Sequence, residues 1–297
     1  MRTRNLALLA VFIVQLMYGF NYTLAKDVMV GGFVKPYAFI VLRVGGAALL
    51  FWLFSFMGPK EKIEKRDYLH FVVAAFFGIA VNMIMFFKGL EHTTPIHASV
   101  ISTISPILVI LMSAIFLKEK LTPWKMIGVF LGFAGAIILT LYGKSIRAAD
   151  NIFLGNALIV INATSFAIYI ILVKKLTNKY HPFTFLKWLF LFAFIMVIPF
   201  GFKEVTEIEF QSFTPYIIFA VAFVVVGATY IANLLNPIAL RHLKASTVSI
   251  FIYLQPVIAG VFAIAMGSDE LGIVKILAAT LIFLGVYLVT KKPKTST

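Results

Sequence analysis

The feature that most constrains this chain is an internal repeat that relates two long stretches without a gap. Residues 90–143 lie over residues 240–293 when the first stretch is shifted forward by 150 positions. Identical pairs recur along the overlap, among them Leu90 with Leu240, Pro106 with Pro256, Leu121 with Leu271 and Gly135 with Gly285. Each copy contains an apolar helix with a proline near its middle, a charged connector and a second apolar helix with glycine. A repeat fixes the architecture, because both copies must build the same unit.

The composition of the chain requires lipid as the solvent of this repeat. Hydrophobic residues make up 61% of the 297 residues and charged residues only 13%, which is more apolar surface than a soluble domain of this size can bury. Cysteine is absent, and this excludes disulfides and thiolate metal sites. We assign the net charge of +14 to loops between membrane spans rather than to nucleic-acid binding, because Lys and Arg in short loops set topology.

Ten stretches of the chain have the length and polarity of membrane-spanning helices, each of which needs about 20 apolar residues. They cover residues 5–25, 36–57, 68–88, 95–117, 123–142, 152–173, 182–200, 214–237, 245–266 and 271–290. The first stretch carries polar residues and has a counterpart in the sixth, so we predict a retained helix rather than a cleaved signal peptide. The sequence therefore predicts an all-α, polytopic integral membrane protein with ten transmembrane helices.

The distribution of basic residues predicts the orientation of these helices. With the N-terminus in the cytoplasm, most of the 26 Lys and Arg residues fall in cytoplasmic segments, as positive charges in short loops do. Five spans per half is an odd number, so the second half enters the membrane upside down. We therefore expect two inverted five-helix repeats, residues 1–150 and 151–297, with both termini cytoplasmic. Inverted repeats are typical of secondary transporters that bind substrate near the midplane between the repeats.

The repeated stretches also resemble a known family. The motifs that carry the resemblance are His97-Ala98-Ser99 to Ser105-Pro106 with Lys118-Glu119-Lys120-Leu121, and Ala245-Ser246-Thr247 to Gln255-Pro256 with Asp269-Glu270-Leu271. They are similar to the EamA-type branch of the drug/metabolite transporter superfamily, in which an Arg is also frequent at the position of Arg43. The resemblance implies alternating access and export of amino acids, metabolites or drug-like compounds across a bacterial cytoplasmic (inner) membrane, without a cofactor. Lys88 departs from the family, whose members usually have an uncharged residue there.

Polar side chains inside the apolar spans are the candidates for a substrate site, because such groups mark either helix contacts or a substrate path. The predicted substrate-binding residues are Tyr18, Asn21, Arg43, Asn82, Phe86, Ser102, Ser105, Tyr169, Tyr230, Asn233, Tyr253 and Gln255. Pro106 and Pro256 are the predicted helix breaks, since each removes a helical N–H and frees a carbonyl. We expect the substrate between the third, fourth, eighth and ninth spans. Simple kinks, with hydroxyls bonded to their own backbone, are the alternative.

Two further features allow more than one interpretation. Arg43 can grip a substrate carboxylate with two hydrogen bonds, or it can anchor a neighbouring carbonyl or snorkel to the interface, and the structural role is favoured. Gly128 and Gly132 form a small-xxx-small pair, which predicts close helix packing either within the chain or across a homodimer.

The functional prediction is a secondary transporter, preferably an exporter, for a small-molecule substrate. An importer is one alternative. A membrane-embedded enzyme is another, although the chain has no HExxH or GxSxG motif and no mid-span Asp or Glu to carry hydrolytic or metal chemistry. His97 is the only histidine in a span close to the expected path. Because no carboxylate lies deep in a span, we predict facilitated or exchange transport without a proton bound to a buried acid.

Overall fold

The structure of the protein is a computed structural model, and it describes residues 2–92, 101–141, 152–265 and 272–290. These residues form helices joined by short connectors, and no strand occurs in the described ranges. In the same ranges, 7 helices are long and apolar enough to cross a membrane. Three apolar helices are shorter, namely Ser105–Phe116, Pro123–Ile138 and Ala245–Ile258. The protein is therefore an all-helical, multi-pass membrane protein.

The described helices follow one another with short connections. In chain order they are α1 (Arg2–Val30), α2 (Pro36–Leu53), α3 (67–92), α4 (Ser105–Phe116), α5 (Pro123–Leu141), α6 (Ile152–Thr177), α7 (Pro182–Thr206), α8 (Pro215–His242), α9 (245–265) and α10 (Ile273–Thr290). Four of them begin at proline, whose fixed φ and missing N–H suit the first turn of a helix. At the start of α8, the Thr214 hydroxyl also accepts the Ile217 N–H at 3.3 Å.

Several helices extend beyond the apolar stretches that predict them. Helix α7 continues through Pro199 to Thr206, where the sequence indicated an end near residue 200. Its last turns carry Glu204, whose Oε2 accepts the backbone N–H groups of Tyr37 and Ala38, both at 2.9 Å. These N–H groups have no partner within α2, so a carboxylate from the other half of the chain completes the start of that helix.

Four irregular segments interrupt the long helices. Helix α3 contains the π-helical segment Phe76–Val81, and α8 contains the π-helical segment Phe223–Ile231. A turn at residues 103–104 precedes α4, and a 3₁₀ turn, Phe251–Tyr253, interrupts α9. The 150-residue shift places residues 76–81 on 226–231 and residues 101–103 on 251–253. The departures from α-helix therefore fall at repeat-related positions.

The turn before α4 separates two of the predicted site residues, Ser102 and Ser105. Ser102 ends a short helical stretch and Ser105 begins α4, so the turn between them interrupts the helical spacing. Pro106 lies in the first turn of α4, where its missing N–H starts a helix rather than kinking one. Ser99 lies outside the described residues.

Two pairs of helices pack against each other in antiparallel orientation. Along α5 and α10, a methyl group added at Gly128 would lie 2.7 Å from the Gly285 carbonyl, and one at Gly135 would lie 2.6 Å from the Ala278 carbonyl. Residue numbers therefore rise along one helix as they fall along the other. Gly132 lies under the ring of Tyr253, so the glycine pair of α5 packs within the chain.

Helices α2 and α7 form the second antiparallel pair. Lys35, before α2, meets Glu207, after α7, at 2.5 Å, whereas Trp52, at the other end of α2, donates from Nε1 to the Lys187 carbonyl at 3.1 Å. Between these ends lies an aromatic core that includes Phe51, with outward-facing apolar side chains around the molecule, such as Phe153 and Ile273. Large apolar residues at such exposure suit a lipid environment.

Candidate functional site

A group of polar side chains lies where α1, α2 and α8 meet. Arg43 of α2 is only 9% exposed, and its Nε donates to the Thr229 hydroxyl at 3.0 Å. Thr229, at 0% exposure, lies in the π segment of α8 and donates its own O–H to the Val224 carbonyl at 2.7 Å. The bond at Nε fixes the plane of the guanidinium, while its two Nη groups remain available.

Helix α1 adds the next members of this group. The Tyr18 hydroxyl interacts with the charge of Arg43 and forms a hydrogen bond with the Asn236 side chain of α8. Asn236 Oδ1 is buried without a hydrogen-bond partner, and so is Asn21 Oδ1, one turn beyond Tyr18. Burial of an oxygen atom without a hydrogen-bond partner costs free energy, so these two atoms indicate that a ligand or a water molecule binds beside them. We refer to Tyr18, Asn21, Arg43, Thr229 and Asn236 as the Arg43 cluster.

The charge of the Arg43 cluster is not balanced by the protein. In the described part of the chain, no Asp or Glu contacts Arg43, and the bond to Thr229 is its one hydrogen bond. Arg43 lies 7 residues beyond Pro36, the first residue of α2, which is about 10 Å along the helix axis. An unpaired cation at this depth is costly, and such residues usually mark a pathway or a ligand.

Tyr169 and Asn233 connect the cluster to α6. The Tyr169 hydroxyl donates to Asn233 Oδ1 at 3.5 Å, and Asn233 Nδ2 donates to the Thr229 carbonyl at 2.7 Å. Tyr169 also interacts electrostatically with Tyr18. Four predicted site residues are therefore brought close to one another by four helices: Tyr18, Arg43, Tyr169 and Asn233. Asn21 lies one turn beyond Tyr18 on α1.

Three other predicted residues lie in helix contacts. Asn82 and Asn162 form a reciprocal pair between α3 and α6, since each Nδ2 donates to the backbone carbonyl of the other, at 3.2 and 2.7 Å. Tyr230 packs in the aromatic core, with its ring centroid 4.6 Å from that of Phe51. Phe86 forms an edge contact with its neighbour Phe87 at 5.6 Å.

The remaining predicted residues surround the breaks of α4 and α9. Gln255 donates from Nε2 to Oε1 of the buried Gln15 at 2.7 Å, which joins α9 to α1. Tyr253 is 1% exposed, and its hydroxyl is buried without a partner. Ser102 is half-buried and Ser105 is buried, one on each side of the turn before α4.

A second polar group joins the connector after α4 to the start of α9. Glu119 accepts the Ala245 N–H at 2.9 Å and the Ser246 hydroxyl. Lys125 donates from Nζ to Ser246 Oγ at 2.8 Å and lies 3.6 Å from Glu119. We refer to Glu119, Lys125 and Ser246 as the Glu119 junction. Its donors and acceptors satisfy one another, so it ties the two halves together at the end of the molecule that is rich in lysine.

Connectors at this same end form a further ion-pair group. Lys179 lies 2.8 Å from Glu64 and also contacts Asp67. The hydrogen bond from Lys179, followed by that from Arg66, holds the pKa of the Glu64 carboxyl below its usual value. Within the described ranges, no group of three or more His, Asp or Glu residues could hold a metal ion. His97 and Asp269, which the sequence singled out, lie outside the described residues.

The substrate-binding residues predicted from the sequence do not include Thr229, and the Glu119 junction has no predicted role. Asn236 is a polar candidate of the eighth span in the sequence, together with Tyr230 and Asn233. One signal was present: Thr229, Asn233 and Asn236 follow one another at helical spacing in an otherwise apolar span. The partners of the Glu119 junction have no such signal, because they lie more than 100 positions apart.

Comparisons with known proteins concern the fold and the family of the chain. A solved crystal structure shares the fold, with a TM-score of 0.80 and 16% identity over 96% of each chain. An uncharacterized transporter of Archaeoglobus fulgidus is 26% identical over 86% of this chain and 87% of its own length. The uncharacterized transporter YyaM of Bacillus subtilis is 23% identical over 90% and 88%. The EamA-like transporter family matches residues 5–141 and again residues 153–291. The chain therefore belongs to the EamA-like transporter family.

Proposed function

We propose that this protein is a secondary transporter that exports a small organic molecule across a bacterial cytoplasmic membrane by alternating access. The observation that carries the proposal is the Arg43 cluster, a set of buried polar atoms without partners at depth in a multi-pass helical protein. Family membership and the transporters among its relatives support transport rather than catalysis.

The proposed machinery consists of two inverted five-helix repeats, residues 1–150 and 151–297. The antiparallel packing of α5 with α10 and of α2 with α7 supports inversion, since each pair joins equivalent helices of the two halves. The two separate family matches support the duplication. The lysine-rich end would face the cytoplasm, with both termini, because basic loops remain on that side.

The proposed substrate path lies between α3, α4, α8 and α9, with α1 and α2 as an additional wall that holds Arg43. Breaks at residues 103–104 and at Phe251–Tyr253 allow the two halves of each broken helix to reorient. The Glu119 junction would close the cytoplasmic end in this conformation, because its hydrogen bonds join α9 to the connector after α4. Opening toward the cytoplasm would require these bonds to break.

The proposed coupling is facilitated diffusion or exchange. Among the described acids, Asp27 accepts from Tyr216, Glu204 caps α2 and Glu119 belongs to the junction, all near helix ends. None of these three is a mid-membrane proton carrier.

The experiment that tests this function is flux through proteoliposomes that contain the full chain. A resistance screen with toxic amino acids and drugs on overexpression would supply the labelled compounds. We expect flux of at least one compound, with no accumulation driven by a pH gradient alone. Absence of flux for every compound that gives resistance would contradict transport, and accumulation driven by the gradient would contradict the coupling.

A further inference from the structure

We infer that the substrate is a small monoanionic hydroxy acid, whose carboxylate binds the Nη groups of Arg43 and whose hydroxyl donates to one amide oxygen of the Arg43 cluster. The inference rests on the proposed transport function and names the chemical class of its substrate. It starts from three properties of the cluster: one unpaired cation, unpaired acceptors, and no carboxylate contacting Arg43 among the described residues.

The positive charge of Arg43 indicates the first chemical group that the substrate must carry. Arginine presents its N–H donors in a planar fork and does not accept hydrogen bonds, so the Nη groups of Arg43 require an anion or another acceptor. Thr229 occupies Nε and leaves the edge formed by the two Nη groups. This edge matches the two oxygens of a carboxylate, and charge-assisted bidentate pairs are the strong hydrogen bonds in proteins.

The buried amide oxygens without partners indicate a second chemical group that the substrate must carry. Oδ1 of Asn21 and Oδ1 of Asn236 are buried acceptors without donors, and Asn236 is joined through Tyr18 to Arg43. A substrate that offered only acceptors near its carboxylate would leave these oxygens unsatisfied, at a cost comparable to a lost hydrogen bond. A hydroxyl next to the carboxylate donates its one proton to one of them and remains neutral.

The charge count separates a monoanion from other classes. One guanidinium and one carboxylate sum to zero, which is the arrangement that low dielectric favours. A cationic compound would meet Arg43 as a like charge, and the ammonium of a zwitterion would have no carboxylate to face. A dianion would need a second cation, but Lys125 is bound in the Glu119 junction and Lys174 donates to the Leu240 and Leu243 carbonyls.

Matched probes test this inference on the full chain in lipid nanodiscs. Each carbon skeleton is offered as the hydroxy acid, the amino acid and the hydroxy amide: lactate, alanine and lactamide; 2-hydroxy-4-methylpentanoate, leucine and the hydroxy amide; mandelate, phenylglycine and mandelamide. Thermal unfolding is followed by tryptophan fluorescence, because a ligand that binds only the folded state raises the Tm, and raises it more as its concentration exceeds its Kd. We expect at least one hydroxy acid to raise the Tm, more than its amino acid does, and its amide to have no effect. No shift with any hydroxy acid, or equal shifts with the amide or the amino acid, would overturn the inference.

Variants assign the effect to Arg43. Arg43→Gln should weaken the apparent affinity for the active hydroxy acid by about 30-fold or more, since it removes a buried charge-assisted pair. Lys187→Gln is the matched control, because Lys187 is also basic and within a helix but lies over the Trp52 ring, at 5.0 Å. It should leave the affinity unchanged. If Arg43→Gln does not fold, Thr229→Val is the second variant. It keeps the charge of Arg43 but removes the hydrogen bond that orients its Nε, so it should still lower the affinity for the hydroxy acid. Unchanged affinity in the folded variants would contradict the assignment.

The two proposals fail separately. If a compound without a carboxylate crosses the proteoliposome membrane and no hydroxy acid shifts the Tm, the transport proposal stands and the proposed substrate class is wrong. If a hydroxy acid binds in a way that depends on Arg43 but is not transported, the proposed site stands and the transport proposal is wrong.

Discussion

The two π segments occupy repeat-related positions, yet their surroundings differ. In α3, the hydroxyl of Ser165 donates to the Phe77 carbonyl at 2.6 Å, and the ring of Tyr169 covers Gly78 so closely that an added methyl group would lie 2.1 Å from it. In α8, the hydroxyl of Thr229 donates to the Val224 carbonyl and also accepts a hydrogen bond from Nε of Arg43. Oδ1 of the neighbouring Asn236 has no hydrogen-bond partner in the described part of the chain. The first segment is closed by packing, whereas the second borders unsatisfied polar atoms.

This difference shows what marks a site in such a protein. π segments are frequent at functional sites, but the irregular backbone by itself does not distinguish the two halves. In α3, the freed carbonyl and the Asn82–Asn162 pair satisfy their hydrogen bonds within the protein. Beside the π segment of α8, the charge of Arg43 has no acidic partner among the described residues, and Oδ1 of Asn236 has no hydrogen-bond partner. We therefore interpret the segment of α3 as a helix-packing element, and we propose the surroundings of the α8 segment as the ligand site.

The largest expected effect is on transport. Arg43→Gln should reduce flux of the transported compound by about 30-fold or more, since a buried charge pair contributes at least about 2 kcal/mol. Asn82→Ala, in the α3 region, should leave flux per folded molecule within about twofold. The measurement is initial flux in proteoliposomes, normalised to folded protein by size-exclusion chromatography. Comparable losses in both variants would remove the distinction between the two regions.

Packing density gives the next effect. Gly78→Ala should lower the free energy of unfolding by about 1–3 kcal/mol, because the ring of Tyr169 must move. Gly227→Ala, in the π segment of α8, should change it by about 0.5 kcal/mol or less, since the added methyl group meets Phe223 at an ordinary 3.4 Å. Denaturant titration in mixed micelles compares the two variants. A larger cost at Gly227 would reverse the account of which segment is tightly packed.

The asparagine pair has a smaller effect. Asn82→Ala should destabilise the protein by about 0.6–1.7 kcal/mol, the range measured for hydrogen bonds between membrane helices. In the double variant with Asn162→Ala the two costs should add to within about 0.5 kcal/mol, because each side chain donates to a backbone carbonyl that alanine at the other position retains. A larger coupling energy in this double-mutant cycle would show that the two side chains depend on each other.

The smallest effect is expected outside both regions, at the exposed pair of Glu64 and Lys179. The pKa of Glu64 is lowered in the folded protein, so its contribution to stability is present at neutral pH and is lost as the pH falls through the folded pKa. Glu64→Gln should lower the Tm at neutral pH by about a degree or less, because exposed pairs contribute little. The difference between the variant and the parent should shrink as the pH falls from neutral into the acidic range. A difference that grew with acidification would contradict the sign of the pKa shift.

The sequence predicted the parts of the fold that depend on composition and periodicity. Apolar length and turn residues predicted the helices, and Pro106 and Pro256 lie next to breaks, as expected. The π segments were missed, since i→i+5 hydrogen bonding leaves no pattern in apolar residues. Ends such as Thr206 were missed because polar helical turns continue beyond the lipid-like stretch.

The candidate site was predicted only in part, for a physical reason. Sequence identifies a polar residue in an apolar span but not its partner, and the partner decides the role. Arg43 and Asn82 are both polar residues in an apolar span and cannot be told apart in the sequence. In the structure, the Nη groups of Arg43 lie beside Thr229 without partners among the described residues, whereas Asn82 is paired with Asn162. Tyr230 lies one position from Thr229, yet its ring belongs to the aromatic core. Such differences arise from contacts between residues far apart in the chain.

The most direct test of the account compares one position in each region. The chain contains no cysteine, so Asn236→Cys and Asn162→Cys each create a single thiol, at positions of similar burial, 7% and 9% exposed. The measurement is the rate of modification by an anionic, water-soluble methanethiosulfonate in membrane vesicles, with and without the transported compound. We predict that the thiol at position 236 reacts and is protected by the compound, whereas the thiol at position 162 stays unmodified. Equal rates at the two positions, or faster reaction at position 162, would contradict the claim that the polar atoms around the π segment of α8, and not the Asn82–Asn162 pair, face the substrate path.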